Sequence, residues 1–240
     1  MDIWLAYPGD KYHVIGNHEM DGGYGLDQVL AHRKMVNSYY HFERNGFNFI
    51  VLDGNDKKFP EETGYRNYIG PSQQEWLKET LNRIEGPVVI LSHQAIGPIG
   101  GMDNAEEIRA IFEAHNQENP QSQIFASFNG HLHYDAATEH NGIWYIHVNS
   151  ASYFWMGEEY EHLRYSAEID EEFRWIKYTA PYQEPLFAVV EISADGLIQI
   201  SGKSTEYVGP SPWELGFPVA DKAYIRPAIS SRKLQVKLNN

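Results

Sequence analysis

Apolar residues come along this chain in short blocks, and the spacing inside each block predicts its element. Val88 to Leu91 is a continuous apolar run of strand length, the pattern of a strand buried on both faces, and Ile124 to Phe128 reads the same way. A helix precedes each run. Leu77, Leu81 and Ile84 share one face of a helix opened by Pro71 and by a Ser72/Glu75 capping box, and stopped by Gly86. Ile108, Ile111, Phe112 and His115 line one face of the next, with Asn104 and Glu107 as its caps. His115 is thereby a core-edge residue. Leu26 to about Met35 predicts a further helix.

Three turn signals predict three hairpins. Tyr39 to Glu43 and Phe47 to Leu52 flank Asn45-Gly46. Ala136 to His140 and Ile143 to Val148 flank Asn141-Gly142. Leu186 to Ile192 and Leu197 to Ser201 flank Asp195-Gly196. Tyr12 to Ile15 predicts one more strand, after a turn at Pro8-Gly9-Asp10. Glu158 to Glu172 is acidic and mixed with Tyr, Leu and Ile, which predicts a solvated face built as a helix or lid. The tail holds Pro210, Pro212, Pro218 and Pro227, so it is mostly irregular. Leu234, Val236 and Leu238 alternate with polar residues and predict a last edge strand. Helices alternating with strands make this an α/β chain.

Composition narrows the possibilities. With 240 residues and 42% apolar content, the chain can bury a sizeable core as one large domain. No apolar run reaches membrane-spanning length, so no membrane partner is expected. A net charge of −14 repels polyanions and argues against nucleic acid as a bulk partner. A small anionic, phosphorylated substrate remains possible where a metal supplies local positive charge. The sequence has no cysteine, which excludes zinc–thiolate sites and thiol nucleophiles.

The candidate chemistry sits where three of these blocks end. Ile15 runs into Gly16-Asn17-His18-Glu19, Leu91 into Ser92-His93, and Phe128 into Asn129-Gly130-His131-Leu132-His133. In open α/β sheets, sites form at the carboxyl ends of the strands. Asn17 offers a hard amide oxygen, the imidazoles offer borderline nitrogens, and His18 is a potential acid or base near neutral pH. Glu19 could orient His18. Each piece has a plainer reading as a turn or a surface histidine. Asp53 reads as a polar strand terminus, and His147 as a structural residue inside a strand.

Gly16-Asn17-His18-Glu19, Ser92-His93 and Gly130-His131-Leu132-His133, in this order and over these gaps, resemble the later motifs of the calcineurin-like metallophosphoesterases. The resemblance covers about residues 12–150. It implies a four-layer α/β/β/α sandwich of the metallo-dependent phosphatase type, with residues 1–209 as the metallophosphoesterase-like domain and 210–240 as a C-terminal extension. It implies two divalent ions, with oxygen and imidazole ligands suiting Mn, Fe, Zn or Mg. Asn17, His93 and His131 would bind one ion and His133 the other. His18 would serve the leaving group, with Glu19 supporting it. The implied activity is hydrolysis of a phosphomonoester or phosphodiester by metal-activated water.

The family's two upstream patterns, Asp-x-His and Gly-Asp-x-x-Asp, do not occur in the fifteen residues before Gly16. At about 3.3 Å per residue His13 lies about 13 Å before Asn17 along an extended strand, and Asp10 lies further back, so both are poor substitutes. The expectation is a domain lacking its first βαβ segment, with two ions, one or none. Three readings stay open: a phosphohydrolase, a non-catalytic descendant that binds a phosphate ligand or a protein partner, and an unrelated α/β protein. The uncovered sheet edge predicts a homo-oligomer.

Overall fold

The computed structural model of the protein describes residues 6–218 and 222–236. Its centre is a six-stranded mixed sheet. The strands are β1 (Tyr40–Arg44), β2 (Phe47–Leu52), β3 (Val88–Ser92), β4 (Ile124–Asn129), β5 (Ala136–His140) and β6 (Ile143–His147), in the order β1-β2-β3-β4-β6-β5. The four middle strands, β2, β3, β4 and β6, run parallel, and the two outer ones pair antiparallel to their neighbours. Both outer strands are hairpin partners. Their turns put Asn45 and Gly46, and Asn141 and Gly142, at positive φ, the left-handed geometry that matches strand twist.

Helix α1 (Leu26–Arg33) precedes the sheet, and α2 (Pro71–Leu81) and α3 (Ala105–Glu118) serve as the crossovers β2-α2-β3 and β3-α3-β4. Successive crossovers moving the same way across a sheet land on the same face. Leu77, Leu81, Ile108 and Phe112 accordingly pack with Ile50, Leu52, Val88, Ile90 and Ile124. The opposite face carries Val89, Phe125, Ala126 and Ile146. A second, three-stranded sheet covers it with Ile198, Ile200 and Leu234. With the short pair β7 (Tyr153–Trp155) and β8 (Thr179–Pro181) counted in chain order, that sheet is β11-β10-β9: Arg232–Gln235, Leu197–Ser201 and Val189–Ile192. Helices on one face and a second sheet on the other make a mixed α/β architecture.

Several local expectations are corrected. Residues 12–15 form no strand. Tyr40 Oη accepts a hydrogen bond from His13 N–H at 3.0 Å and donates one to His13 C=O at 2.9 Å, so a side chain does the work of a sheet neighbour. Helix α2 is not capped by Ser72. Gly70 is its N-cap, Pro71 opens it, and Asp56 Oδ2 accepts the Gly70 N–H at 2.7 Å. Asn104 sits at the N-cap of α3, but its side chain reaches across to both backbone groups of Ile69. The acidic stretch 158–172 is not one helix. It breaks into a 3-10 turn, Glu158–Tyr160, and a single short helix α4, Ala167–Glu172. The final strand begins at Arg232, two residues before the alternating pattern, and Leu238 lies outside the described residues. Among the described residues after 210, Ile225, Ile229, Leu234 and Val236 are buried.

Candidate functional site

Four parallel strands end on one edge of the central sheet, and the loops leaving β3 and β4 bring His93 and His131 together there. Gly130 N–H donates to His93 C=O at 3.0 Å, which ties the two loops at their roots. The third participant comes from the other side. Asn17 opens a stretch of 3-10 turns, Asn17–Gly23, broken at Asp21 and Gly22, and its side chain is buried against the two rings.

The three donor atoms form a tight triangle. Asn17 Oδ1 lies 2.8 Å from His93 Nε2 and 3.1 Å from His131 Nδ1, and the two ring nitrogens are 3.2 Å apart. Each neutral imidazole carries one N–H. If both rings donate to the amide oxygen, their protons crowd each other. If either does not, its lone pair faces the oxygen's. A cation would remove the conflict, as would the Asn17 amide turned to offer its N–H groups to the two ring nitrogens. Three donors about 2.1 Å from one ion at right angles would stand about 3.0 Å apart, against about 3.4 Å in a tetrahedron. The observed edges match one face of an octahedron. No group of three or more His, Cys, Asp or Glu side chains gathers into a metal site among the described residues, and the third corner here is an amide oxygen.

The loop conformation that aims the rings is unusual. His131 and His133 both have positive φ, 64° and 56°. The left-handed region costs a non-glycine residue roughly 1–2 kcal/mol, and histidine is among the residues that tolerate it. Between them Leu132 lies against Gly100, where a Cβ would come within 2.4 Å of Leu132 Cδ1. Gly16 has a similar role. A Cβ there would sit 3.0 Å from the His93 ring and 2.8 Å from Glu19 Oε2.

Electrostatics favour neutral rings. Burial pushes His93 down to about 4, with the nearby charges of His131, His133 and His18 acting the same way. Burial, then His18, lowers His131. His133 falls to about 4 through burial and then His131, with the Tyr153 backbone pulling it up and His18 adding to the fall. Its Nδ1 is buried without a hydrogen-bond partner, and its ring meets Tyr153 edge-on at 5.1 Å. Neutral imidazoles are what metal ligation requires.

His18 and Glu19 part company. Glu19 Oε2 accepts the Gly16 N–H at 2.9 Å, and its other oxygen lies 3.7 Å from Arg33. The carboxylate that meets His18 is Asp21, with Oδ2 2.8 Å from Nδ1. Tyr65 Oη donates to that same oxygen at 3.4 Å, and its ring lies 4.5 Å from the His18 ring. Asp21 stands three residues after His18, on the same turn, and that spacing is a signal the sequence offers. Tyr65 carries no such signal, being 44 residues from Asp21 along the chain. Asp10 pairs with Arg44 at 2.7 Å on the surface. Asp53 is buried, accepts two hydrogen bonds from Asn55, and is held above the ordinary carboxylate range by that burial. His147 is buried beside Asn129, whose Nδ2 donates to His147 Nδ1 at 2.9 Å.

Comparison with known proteins adds little. No family model matches the chain, and no curated protein matches it. One similar solved structure is described as "GAP50 the anchor in the inner membrane complex of Plasmodium". It shares 16% identity, and the alignment covers 86% of this chain and 56% of that one, at a TM-score of 0.42. This chain therefore spans little more than half the length of that protein. No helix among the described residues is long and apolar enough to cross a membrane.

Proposed function

We propose that the chain is a metal-dependent phosphohydrolase acting on a phosphomonoester or phosphodiester. The observation that carries this reading is the convergence of Asn17 Oδ1, His93 Nε2 and His131 Nδ1 within 3.2 Å of one another. These three residues would hold one divalent cation, Mn, Fe, Zn or Mg, and His133 would face a second. The helices, central sheet and second sheet correspond, on this reading, to three layers of the metallo-dependent phosphatase sandwich.

A divalent cation in such a site neutralises phosphate oxygens and acidifies coordinated water. The rest is the chain's own chemistry. His131 and His133, both held at positive φ, stay neutral at neutral pH. His18, on a more exposed turn, is free to hand a proton to a departing alkoxide. Asp21 holds the His18 ring through Nδ1, which leaves Nε2 as the nitrogen that would carry the proton handed to the leaving group.

A second reading is a single-ion protein that binds a phosphate ligand without turning it over. It is favoured by the engagement of the nearest carboxylates elsewhere, Glu19 with Gly16 and Arg33, and Asp21 with His18 and Tyr65. Metal stoichiometry by inductively coupled plasma mass spectrometry, on the chain and on His131→Ala, is the deciding measurement, followed by bis(p-nitrophenyl) phosphate hydrolysis. Bound metal lost in the variant, together with hydrolysis, supports the phosphohydrolase. Bound metal with no hydrolysis supports the second reading. A metal content equal to that of the variant overturns both.

A further inference from the structure

A cavity of about 460 Å³ opens beside the donor triangle, within the range of small-molecule sites. Asn17 belongs to both the triangle and the cavity wall, so a ligand in one would abut a ligand in the other. Its walls include Tyr24, Tyr65, Met20, Leu26 and Arg66. The two tyrosines are 60% and 61% exposed and offer aromatic surface to the cavity.

We propose that this cavity is the leaving-group subsite and takes an aromatic ring carried on the alcohol side of a phosphoester. The inference rests on the phosphohydrolase reading and extends it to a substrate class. Direction supports it. The ester oxygen of a phosphate at the triangle must pass His18 to be protonated, and the His18 ring stands 4.5 Å from Tyr65. A group attached to that oxygen therefore leaves over Tyr65 into the cavity. Charge supports it as well. The lining has one carboxylate, Asp21, already shared between His18 and Tyr65, and one guanidinium, Arg66, which donates to Asn55 C=O at 3.1 Å. Arg66 disfavours a cationic ligand, and Asp21 disfavours a second anion. What remains is a neutral group with a flat apolar face, for which tyrosine rings and a methionine thioether are good partners.

The test compares benzyl phosphate with ethyl phosphate on the metal-loaded chain, because both release a primary alkoxide and differ by the ring. The expected result is a kcat/KM at least tenfold higher for benzyl phosphate, carried mainly by KM. Tyr24→Ala, an exposed position whose loss leaves the core intact, should reduce that ratio at least fivefold. Equal kcat/KM for the two esters overturns the subsite while leaving the phosphohydrolase standing. If neither ester is hydrolysed, the hydrolase reading has failed on its own account. Saturation-transfer NMR of benzyl phosphate on the metal-free chain then decides the cavity. Ring-proton saturation lost in Tyr24→Ala supports an aromatic site there, and no saturation in the unaltered chain overturns it.

Discussion

Gly16 is a position where one hydrogen atom sets the geometry of the triangle. Its backbone is extended, with φ −92° and ψ 171°, so alanine suffers no conformational strain. The cost of a methyl group is purely local. The Glu19 carboxylate can swing aside, but the His93 ring cannot yield without moving Nε2 away from Asn17. Gly16→Ala is expected to weaken divalent metal binding at least tenfold, as read by competition with a chelator, while the urea midpoint of the metal-free chain moves little. His147 makes a different point. Burial alone depresses it to about 4. In the unfolded chain it returns to an ordinary value near 6.5. The folded state thus binds fewer protons. Its stability is unaffected above about pH 6.5, declines as the pH falls toward 4, and levels off below that. Between pH 7.5 and 5 the loss from this residue is roughly 2 kcal/mol. His147→Gln keeps an acceptor for Asn129, and urea titrations at the two pH values should find the acid destabilisation smaller by about that amount.

At the scale of elements, what the sequence discloses depends on where each element finds its partners. Val88 to Leu91 is legible because a parallel strand covered on both faces must be apolar throughout, and Ile124 to Phe128 is nearly so, interrupted by Ser127. The Asn-Gly hairpins are legible because left-handed turn residues are few. Helices α2 and α3 announce themselves through one apolar face. The segment 12–15 misleads, because its apolar pattern says nothing of a tyrosine hydroxyl taking the place of a strand. The capping box of α2 misleads in the same way, with Asp56 supplying a partner from elsewhere in the chain, whereas Asn104 is the N-cap of α3 and reaches Glu107 at 3.1 Å. The site divides along the same line. His93 and His131 follow visible strand ends, and Asn17 follows an apolar run that is not a strand, whereas the pairing of His18 with Asp21 and Tyr65 depends on how the 3-10 turns fold over. The helix layer also yields a stability prediction. Phe112 is fully buried between α3 and the sheet. Phe112→Ala should cost about 3–5 kcal/mol, seen as a lower urea midpoint, with metal affinity nearly unchanged.

Across the whole molecule, one buried carboxylate joins the histidine loop to the far end of the chain. Asp135, two residues after His133, accepts hydrogen bonds from Ser230 N–H at 3.0 Å and from Arg232 at 2.7 Å, and Arg226 stands 3.5 Å away. The carboxylate is buried, but the Arg232 and Arg226 side chains keep partial contact with solvent, which offsets part of the lost pairing. Asp135→Asn should therefore lower stability by about 1–3 kcal/mol, less than Phe112→Ala. Unlike Phe112→Ala, it should also loosen metal binding, and titration of the two variants in parallel separates the effects.

The mismatch in how the triangle's corners are held has a consequence of its own. His93 and His131 stand on loops rooted in a paired sheet, whereas Asn17 belongs to a stretch without ladder bonds. An ion gripped by all three would act as a clasp, fastening the beginning of the domain to its centre. The ion's binding energy would then be spent on closing that stretch, so the amides of residues 12–24 would become a gauge of occupancy. At a metal concentration 100-fold above the dissociation constant, their hydrogen exchange by mass spectrometry should slow by up to about 100-fold. Exchange in β3 and β4 should change far less.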